Sequence, residues 1–240
     1  MKILLISDIH SNSVALKTIL DYEKDWDAIY CAGDYVDYGI DPKGVLDYIK
    51  KHNVIGVRGN HDDHLLNVWS RDEHKHVGPE HFKWIHHNAQ LLSSSDLDFL
   101  RSMPKILSFD IDGIAYVMKH QWFEDSYETI QSKYHFEKFW DENYRGNLTG
   151  DYEKRMIFGH THRQGIHILG KNMMWINPGS ISYRRPDDCT KNAHYVTITN
   201  GLIELKEIPY EKKDIMKEVL KWEGKMKQSD IEDTKFFFGE

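Results

Sequence analysis

Residues 2–12 read Lys-Ile-Leu-Leu-Ile-Ser-Asp-Ile-His-Ser-Asn, and this stretch decides the fold class. Its apolar residues run continuously from Ile3 to Ile6 instead of alternating, which predicts a strand buried on both faces. Polar side chains, including Asp8 and His10, follow at the end of that strand. Because ligands of open α/β sheets bind at the carboxyl ends of the strands, we expect Asp8 and His10 to lie at a functional edge.

Three further polar clusters follow apolar runs in the same way. They are Gly33-Asp34-Tyr35-Val36-Asp37, Gly59-Asn60-His61-Asp62 and Gly159-His160-Thr161-His162. A lone histidine, His120, stands at the end of a predicted strand at 115–119. Carboxylate, amide and imidazole groups are oxygen and nitrogen ligands, and a set without thiolates suits two divalent metal ions acting on phosphate. The clusters therefore predict a metal-dependent enzyme.

The first half of the chain alternates strands and helices. The predicted strands are Lys2–Ser7, Asp27–Cys31 and Asn53–Val57, and the helices between them start at Ser11-Asn12-Ser13 and at Asp41-Pro42. This order is typical of a parallel sheet with helical crossovers.

The second half is mostly strands. The predicted strands are Lys105–Asp110, Gly113–Lys119, Arg155–Phe158, Gly165–Leu169, Met173–Ile176, His194–Thr199 and Leu202–Ile208, the first two forming a hairpin. A last helix is predicted from Tyr210. We expect an α/β fold, a four-layer αββα sandwich of two mixed sheets packed face to face and flanked by helices. Its metal site would lie at the sheet edge where the strand ends meet.

Three segments have other patterns. Residues 61–103 have helical spacing, and their histidines at 74, 76, 81, 86 and 87 are expected on a solvated surface. Residues 121–152 carry nine aromatic residues, which predicts an insertion or cap within one domain spanning residues 1–240. Those aromatics either pack their own segment or offer a surface on which a substrate base stacks. The polar tail after Gly224 is expected to be loosely held.

Composition narrows the functional classes. At 240 residues the chain can hold one large α/β domain, and 40% hydrophobic and 29% charged residues are ordinary for a soluble protein. A net charge of -7 argues against binding an extended nucleic acid, although bound metals would still permit a phosphate substrate. Two cysteines without a pairing pattern favour the cytoplasm, and Ile3–Ile6 is too short an apolar run for a signal peptide or membrane span.

The clusters together resemble the calcineurin-like metallophosphoesterases, in the branch of the bacterial phosphodiesterases and diadenosine polyphosphate hydrolases. The likeness covers roughly residues 1–200 and includes Asn177-Pro178-Gly179-Ser180. Two exact four-residue strings in the family's order make the resemblance specific. One departure is Gln121, since the family normally has glycine after the histidine that corresponds to His120.

The resemblance implies a ligand set and a mechanism. One metal would be held by Asp8, His10, Asp34 and His162, and the other by Asp34, Asn60, His120 and His160. The shared carboxylate would keep two divalent ions, Mn, Fe or Zn, about 3.5–4 Å apart, so that a bridging hydroxide attacks phosphorus. His61, oriented by Asp37, would serve the leaving group as proton donor or charge stabiliser.

The substrate expected from the resemblance is a small phosphoester or nucleotide. Arg184 and Arg185 either grip its phosphate or form a surface pair. The segment Gly33–Gly39 also resembles the serine/threonine protein phosphatases, but Tyr38 stands where those enzymes usually have arginine, and Asp62 where they have glutamate. A third alternative is a non-catalytic scaffold like the retromer subunit of the same fold. Since every ligand type is present, the sequence favours catalysis over a scaffold.

Overall fold

The computed structural model describes residues 1–124, 126–182, 185–188 and 190–239. Its helices and strands, in chain order, are β1 (Lys2–Ile6), α1 (Ser13–Tyr22), β2 (Ala28–Cys31), α2 (Pro42–Lys51), β3 (Ile55–Gly56), α3 (Asn60–Ser70), α4 (Glu73–His76), α5 (Trp84–Leu91), α6 (Ser94–Ser102), β4 (Ile106–Ile111), β5 (Ile114–Lys119), α7 (Lys133–Asn143), β6 (Glu153–Ile157), β7 (Gly165–Gly170), β8 (Met173–Asn177), β9 (Ala193–Thr199), β10 (Leu202–Ile208), α8 (Lys213–Leu220), α9 (Gln228–Thr234) and a π-helical turn, Lys235–Gly239.

The strands form two mixed five-stranded sheets. The first has the order β10-β9-β1-β2-β3, with β1, β2 and β3 parallel and β9 antiparallel to β1. The second has the order β4-β5-β6-β8-β7, in which β5, β6 and β8 are parallel. The β4–β5 hairpin turns at Asp112-Gly113, and both residues have positive φ, as a two-residue turn of this kind requires. The predicted α/β sandwich of two mixed sheets is confirmed.

Three apolar clusters define the layers. Ile3, Leu5, Tyr116 and Ile157 belong to a cluster that packs the two sheets face to face. The opposite faces of β1 and β2 pack against helices α1, α2, α3 and α5 in the largest cluster. The outer face of the second sheet packs against Phe136 and Trp140 of α7 in the third. Helices therefore cover both outer faces.

The segment 121–152 supplies the helical layer of the second sheet. Phe136, Phe139 and Trp140 are buried against Ala115, Val117 and Trp175 of β5 and β8. Other aromatic side chains of the segment stay on the surface, including those of Phe123, Tyr127 and Tyr134. Most of the buried aromatics thus pack on the sheet, and only part of the segment is free to face a ligand.

The tail does not behave as the sequence suggested. Beyond Gly224, the side chains of Met226, Ile231 and Phe238 are buried in the main core. The indole Nε1 of buried Trp84 donates a hydrogen bond of 2.7 Å to Oγ1 of Thr234. The expectation of a loosely held tail was wrong, because Met226, Ile231 and Phe238 pack into the main core.

Three of the five histidines expected on a solvated surface are also buried. His74, His86 and His87 are each less than 10% exposed, whereas His76 and His81 lie on the surface as predicted. Trp222, from the chain after α8, packs edge-on against His87 at a centroid distance of 4.5 Å. The charged residues of this region suggested a solvated surface, but the C-terminal segment covers His87, and His74 stacks on Trp69.

Candidate metal centre

The loops after the strands have an unusual backbone. Asp8, His10, Asp34, His160 and His162 all have φ between 46° and 63°, in the left-handed region that few non-glycine residues adopt. Hydrogen bonds between loops hold them there, for example from the backbone N–H of Ile9 and of His10 to the carbonyl of Asp34. Such strain persists only where the surroundings fix it, and it is concentrated at functional sites.

The first ligand-type group consists of Asp8, His10 and His162. Their ligand atoms all lie within 4.8 Å of one another. The imidazole nitrogens Nε2 of His10 and His162 approach to 3.3 Å, and Nε2 of His162 lies 3.2 Å from Oδ1 of Asp8. Asp8 and His10 are fully buried.

The second group consists of Asp34, His120 and His160, again within 4.8 Å of one another. Asn60 lies among them, since its Oδ1 is 3.0 Å from both Nε2 of His120 and Nδ1 of His160. Two imidazole nitrogens and an amide oxygen therefore converge on one point.

Asp34 lies between the two groups. Its Oδ2 is 3.0 Å from Nε2 of His120 and 3.9 Å from Nε2 of His10. Its other oxygen, Oδ1, accepts a hydrogen bond of 2.9 Å from the backbone N–H of His61. Among the described residues, no donor makes a well-oriented hydrogen bond to the buried Oδ2. A buried carboxylate oxygen without a donor is costly in water-free surroundings unless a cation meets it.

Two imidazoles are oriented by backbone carbonyls. Nδ1 of His120 lies 2.7 Å from the carbonyl of Ala32, and Nδ1 of His10 lies 3.2 Å from that of Val36. Each Nδ1–H donates to its carbonyl, so Nε2 of each ring faces the centre and is the nitrogen available to a metal. This outer hydrogen bond is how proteins fix the metal-binding tautomer of histidine.

Asp62 and Asn88 hold the loops that carry these groups. The Asp62 carboxylate accepts hydrogen bonds from the backbone N–H groups of Asp34, Tyr35, Val36 and Gly59. Asn88 accepts one from the N–H of Asp37, at 2.9 Å. We did not predict a role for Asn88 from the sequence. The available signal was an amide placed between the apolar residues Ile85 and Ala89, in a stretch assigned to the surface.

His61 and Asp37 form a pair beside the centre. Nδ1 of His61 lies 2.7 Å from Oδ2 of Asp37. Burial lowers the pKa of His61, but the carboxylates of Asp34 and Asp37 outweigh this effect and raise it to about 9. Near neutral pH the ring is therefore protonated and can donate a proton.

The ligand-type groups differ in charge. Burial lowers the pKa of His120, but the Asp34 carboxylate outweighs this effect and raises it to about 9, so this ring would lose a proton on binding a metal. Burial lowers the pKa of His10 to about 3 and that of His160 to about 4, so both rings are neutral. Burial opposes ionisation of Asp34, yet the neighbouring His120 and His61 hold its pKa far below the usual range. Anionic carboxylate and neutral imidazole are the forms that coordinate metals.

Two clefts open beside the centre. One, of about 370 Å³, adjoins Asn60 and His120 and is lined by Arg58, Lys105 and Lys119. The other, of about 260 Å³, adjoins Asp37 and His61. A ligand bound at the centre can therefore extend to either side.

The two arginines predicted to bind the substrate phosphate are Arg184 and Arg185. Arg184 lies outside the described residues. The guanidinium of Arg185 lies 5.7 Å from the ring centre of Tyr127, which in turn stacks on His160 at 4.7 Å. Arg185 donates a hydrogen bond of 3.4 Å to the carbonyl of Thr161, and its buried Nε has no partner among the described residues. Arg185 thus lies beside the second group, and its Nε–H is available to a ligand.

Comparison with known proteins agrees with this geometry. A model of the calcineurin-like phosphoesterase superfamily domain matches residues 1–200. An uncharacterized protein of Methanocaldococcus jannaschii is 27% identical over 237 residues, covering 91% of this chain and 92% of that protein. No helix in the described part of the chain is long and apolar enough to cross a membrane.

Solved structures share the fold. A metallophosphoesterase from Sphaerobacter thermophilus is similar with a TM-score of 0.73 and 20% identity, over 100% of both chains. A single mutant of Vps29 from Entamoeba histolytica is similar with a TM-score of 0.50 and 12% identity, over 88% of this chain and 100% of that chain. Since the family match spans residues 1–200 of 240, the chain belongs to the calcineurin-like phosphoesterase superfamily.

Proposed function

We propose that the chain is a phosphoester hydrolase that depends on two divalent metal ions and acts on a small phosphoester or nucleotide. The observation that carries the proposal is the position of Asp34 Oδ2, a buried oxygen without a donor among the described residues, between two groups of ligand-type side chains. A carboxylate at such a junction suits a bridge between two cations.

The residues present fit such ions. Asp8, His10 and His162 would hold one ion with Asp34, and Asn60, His120 and His160 would hold the other with Asp34. This oxygen and nitrogen donor set suits Mn, Fe or Zn. When bound, the two ions would supply neutralisation of phosphate charge and activation of the attacking water.

The chain's own side chains would complete the reaction. His61, held by Asp37 at 2.7 Å and protonated near neutral pH, would donate a proton to the departing oxygen. Arg185, with an unused Nε–H, would bind a non-bridging phosphate oxygen. The hydrogen bonds to Asp62 would keep the Gly33–Asp37 loop in place during turnover.

The test begins with metal-free protein. We expect Mn²⁺, Fe²⁺ or Zn²⁺ to restore hydrolysis of p-nitrophenyl phosphate or of bis(p-nitrophenyl) phosphate, and we expect Asp34→Asn to abolish it. Asp21→Asn, an exposed carboxylate of α1 that pairs with Lys17, is the matched control and should keep full activity. Absence of metal-stimulated turnover with any phosphoester would refute the proposal.

The same experiment tests two alternative functions, a non-catalytic scaffold and a protein phosphatase. The fold of Vps29 is similar, so a non-catalytic scaffold is the competing function. An intact His61–Asp37 pair favours catalysis, because a scaffold has no use for a positioned proton donor. A protein-phosphatase-like activity would appear as faster turnover of phosphopeptides than of small esters, and Tyr38 and Asp62 argue against it.

A further inference from the structure

The C-terminal segment, residues 213–239, lies outside the stretch matched by the family model and packs back toward the candidate centre. Its attachment is specific. The backbone N–H of Lys227 donates to the carbonyl of Phe82 at 2.7 Å, and Trp222 stacks on the Phe82 ring at 5.8 Å. With the Trp84–Thr234 hydrogen bond, these contacts fix helix α9 against α5.

Helix α9 thereby becomes one wall of the 260 Å³ cleft. His61, Asp37 and Tyr38 line the side toward the centre. Ser229, Asp230 and Asp233 line the opposite side, with Lys83 and Lys227 at its margin. The residue proposed to protonate the departing oxygen therefore faces side chains that the C-terminal segment supplies.

The polar groups of that wall are available to a ligand. Among the described residues, Lys83, Lys227 and Asp233 form no ion pair within 4 Å, and the Asp230 carboxylate accepts a long bond of 3.5 Å from Ser229 Oγ besides one from the backbone N–H of Trp84. The cleft thus combines acceptors on Asp230 and Asp233 with donors on Lys83, Lys227 and Ser229. A hydroxyl group both donates and accepts, so several hydroxyls satisfy such a mixed lining better than an apolar or purely anionic group does.

The charges and the volume of the cleft limit which leaving group can bind there. With Asp37, the cleft contains three carboxylates, which face two ammonium groups and the His61 ring, so charges of both signs line it and a neutral leaving group adds no unbalanced charge. The cleft on the other side of Asn60 differs, because Arg58, Lys105 and Lys119 bring three positively charged side chains to it. A volume of about 260 Å³ is just below the range of about 300–1,000 Å³ for drug-sized ligands, which suits one sugar ring.

We infer that the cleft between His61 and α9 is the leaving-group site, and that it takes a neutral, hydroxyl-bearing alcohol of sugar size. This inference rests on the proposed function. It assigns substrate selectivity to the C-terminal segment and to Asp230 in particular, whose carboxylate would accept hydrogen bonds from the hydroxyls.

The experiment compares leaving groups of similar chemical reactivity. Glucose 6-phosphate and n-hexyl phosphate both release a primary alcohol, and only the first carries further hydroxyls, so the ratio of their kcat/KM values measures hydroxyl recognition. Their methyl diesters give the same comparison for a diesterase. We expect the wild-type ratio to exceed ten and Asp230→Asn to lower it at least tenfold, mainly through KM.

The matched control is Glu232→Gln on the same helix, an exposed residue that contacts Gln228 and does not line the cleft. It should leave the ratio unchanged. Saturation-transfer NMR of glucose 6-phosphate gives a readout without turnover, and the signal should fall in Asp230→Asn but not in Glu232→Gln. If p-nitrophenyl phosphate is hydrolysed while the ratio is near one or insensitive to Asp230→Asn, the inference is wrong and the proposed function stands. If no phosphoester is hydrolysed, both fail.

Discussion

Nδ1 of His61 donates a hydrogen bond to Oδ2 of Asp37 at 2.7 Å, and the two residues line the cleft that faces helix α9. The carboxylate fixes the imidazole and, with Asp34, keeps it protonated. A histidine held in this way does not need to be a metal ligand to matter for the reaction. Loss of its side chain should therefore separate metal binding from catalysis.

His61→Ala should keep both metals and lower kcat by about 10²–10⁴, the usual contribution of a general acid. The loss should be larger for an alkyl phosphate than for p-nitrophenyl phosphate, because only the poor leaving group needs the proton. Metal content by elemental analysis and kcat for both esters check this. Full activity of His61→Ala on the alkyl ester would show that another group is the acid.

Metal binding should raise thermal stability. Saturation at a hundred times the dissociation constant adds about 2.7 kcal/mol, which corresponds to about 5–10 °C for a chain of this size. Differential scanning calorimetry with EDTA and with Mn²⁺ measures the shift, and Asp34→Asn should remove most of it. An equal shift in Asp34→Asn would place the ions elsewhere.

Asp62→Asn should weaken metal binding without touching a ligand. Asn has one acceptor oxygen where the carboxylate accepts four backbone N–H groups, so the Gly33–Asp37 loop would loosen. We expect a loss of about 10–100-fold in metal affinity, as for other residues that support ligands. Titration calorimetry measures it, and Asp98→Asn, an exposed carboxylate, is the control. Unchanged affinity would limit Asp62 to a structural role.

One contact that attaches the C-terminal segment is the buried hydrogen bond from the Trp84 indole to Thr234 Oγ1. Thr234→Val removes the nearer acceptor of the Trp84 indole N–H and leaves only the Asp230 carbonyl at 3.4 Å, so the free energy of unfolding should fall by about 0.5–1.5 kcal/mol. Urea denaturation checks the value, and Thr234→Ser, which retains the hydroxyl, should stay near wild type. Equal losses in both variants would point to the methyl group instead.

Stability should decrease at low pH through Asp96. Burial alone would raise its pKa, but hydrogen bonds from Lys50 and Ser93 outweigh burial and lower the pKa to about 2. The folded pKa lies below the unfolded value, so the carboxylate stabilises the fold above about pH 4, and this contribution disappears as the pH falls toward 2.

Asp96→Asn should accordingly cost about 1–2 kcal/mol at pH 7 and little at pH 2. Denaturant unfolding at both pH values gives the two differences. The control Asp98→Asn on the same helix is exposed and should show neither effect. A penalty for Asp96→Asn that does not depend on pH would exclude ionisation as its cause.

Much of the fold follows from local sequence patterns. The continuous apolar run of β1, the helix starts at Ser11-Asn12-Ser13 and Asp41-Pro42, and the hairpin of β4 and β5 are features of neighbouring residues, and each was predicted. The convergence of the polar clusters followed from the rule that strand ends of one sheet meet at one edge. The ligand roles within the centre stay predictions.

What the sequence did not reveal depends on distant parts of the chain. Nothing near His87 indicates that Trp222 packs against it, and nothing near Asn88 indicates its hydrogen bonds with Asp37 and Gly39, because tertiary packing creates these contacts. The packing of the C-terminal segment also makes this tail, which was expected to be loose, one wall of the cleft beside His61. Helix boundaries also shifted, since the last long helix begins at Lys213 and ends before Trp222.

Eight non-glycine residues in the loops around the centre have left-handed backbones: Asp8, His10, Ser11, Asp34, Asp37, Tyr38, His160 and His162. Each of these conformations costs of the order of 1–3 kcal/mol, which the folding of the sheets and helices supplies. Under the proposed function, the cavity that would hold the ions is consequently shaped before they bind. Incoming cations would need to reorganise little of the polypeptide, so we expect release and exchange of metal to leave the architecture of the metal-free protein intact.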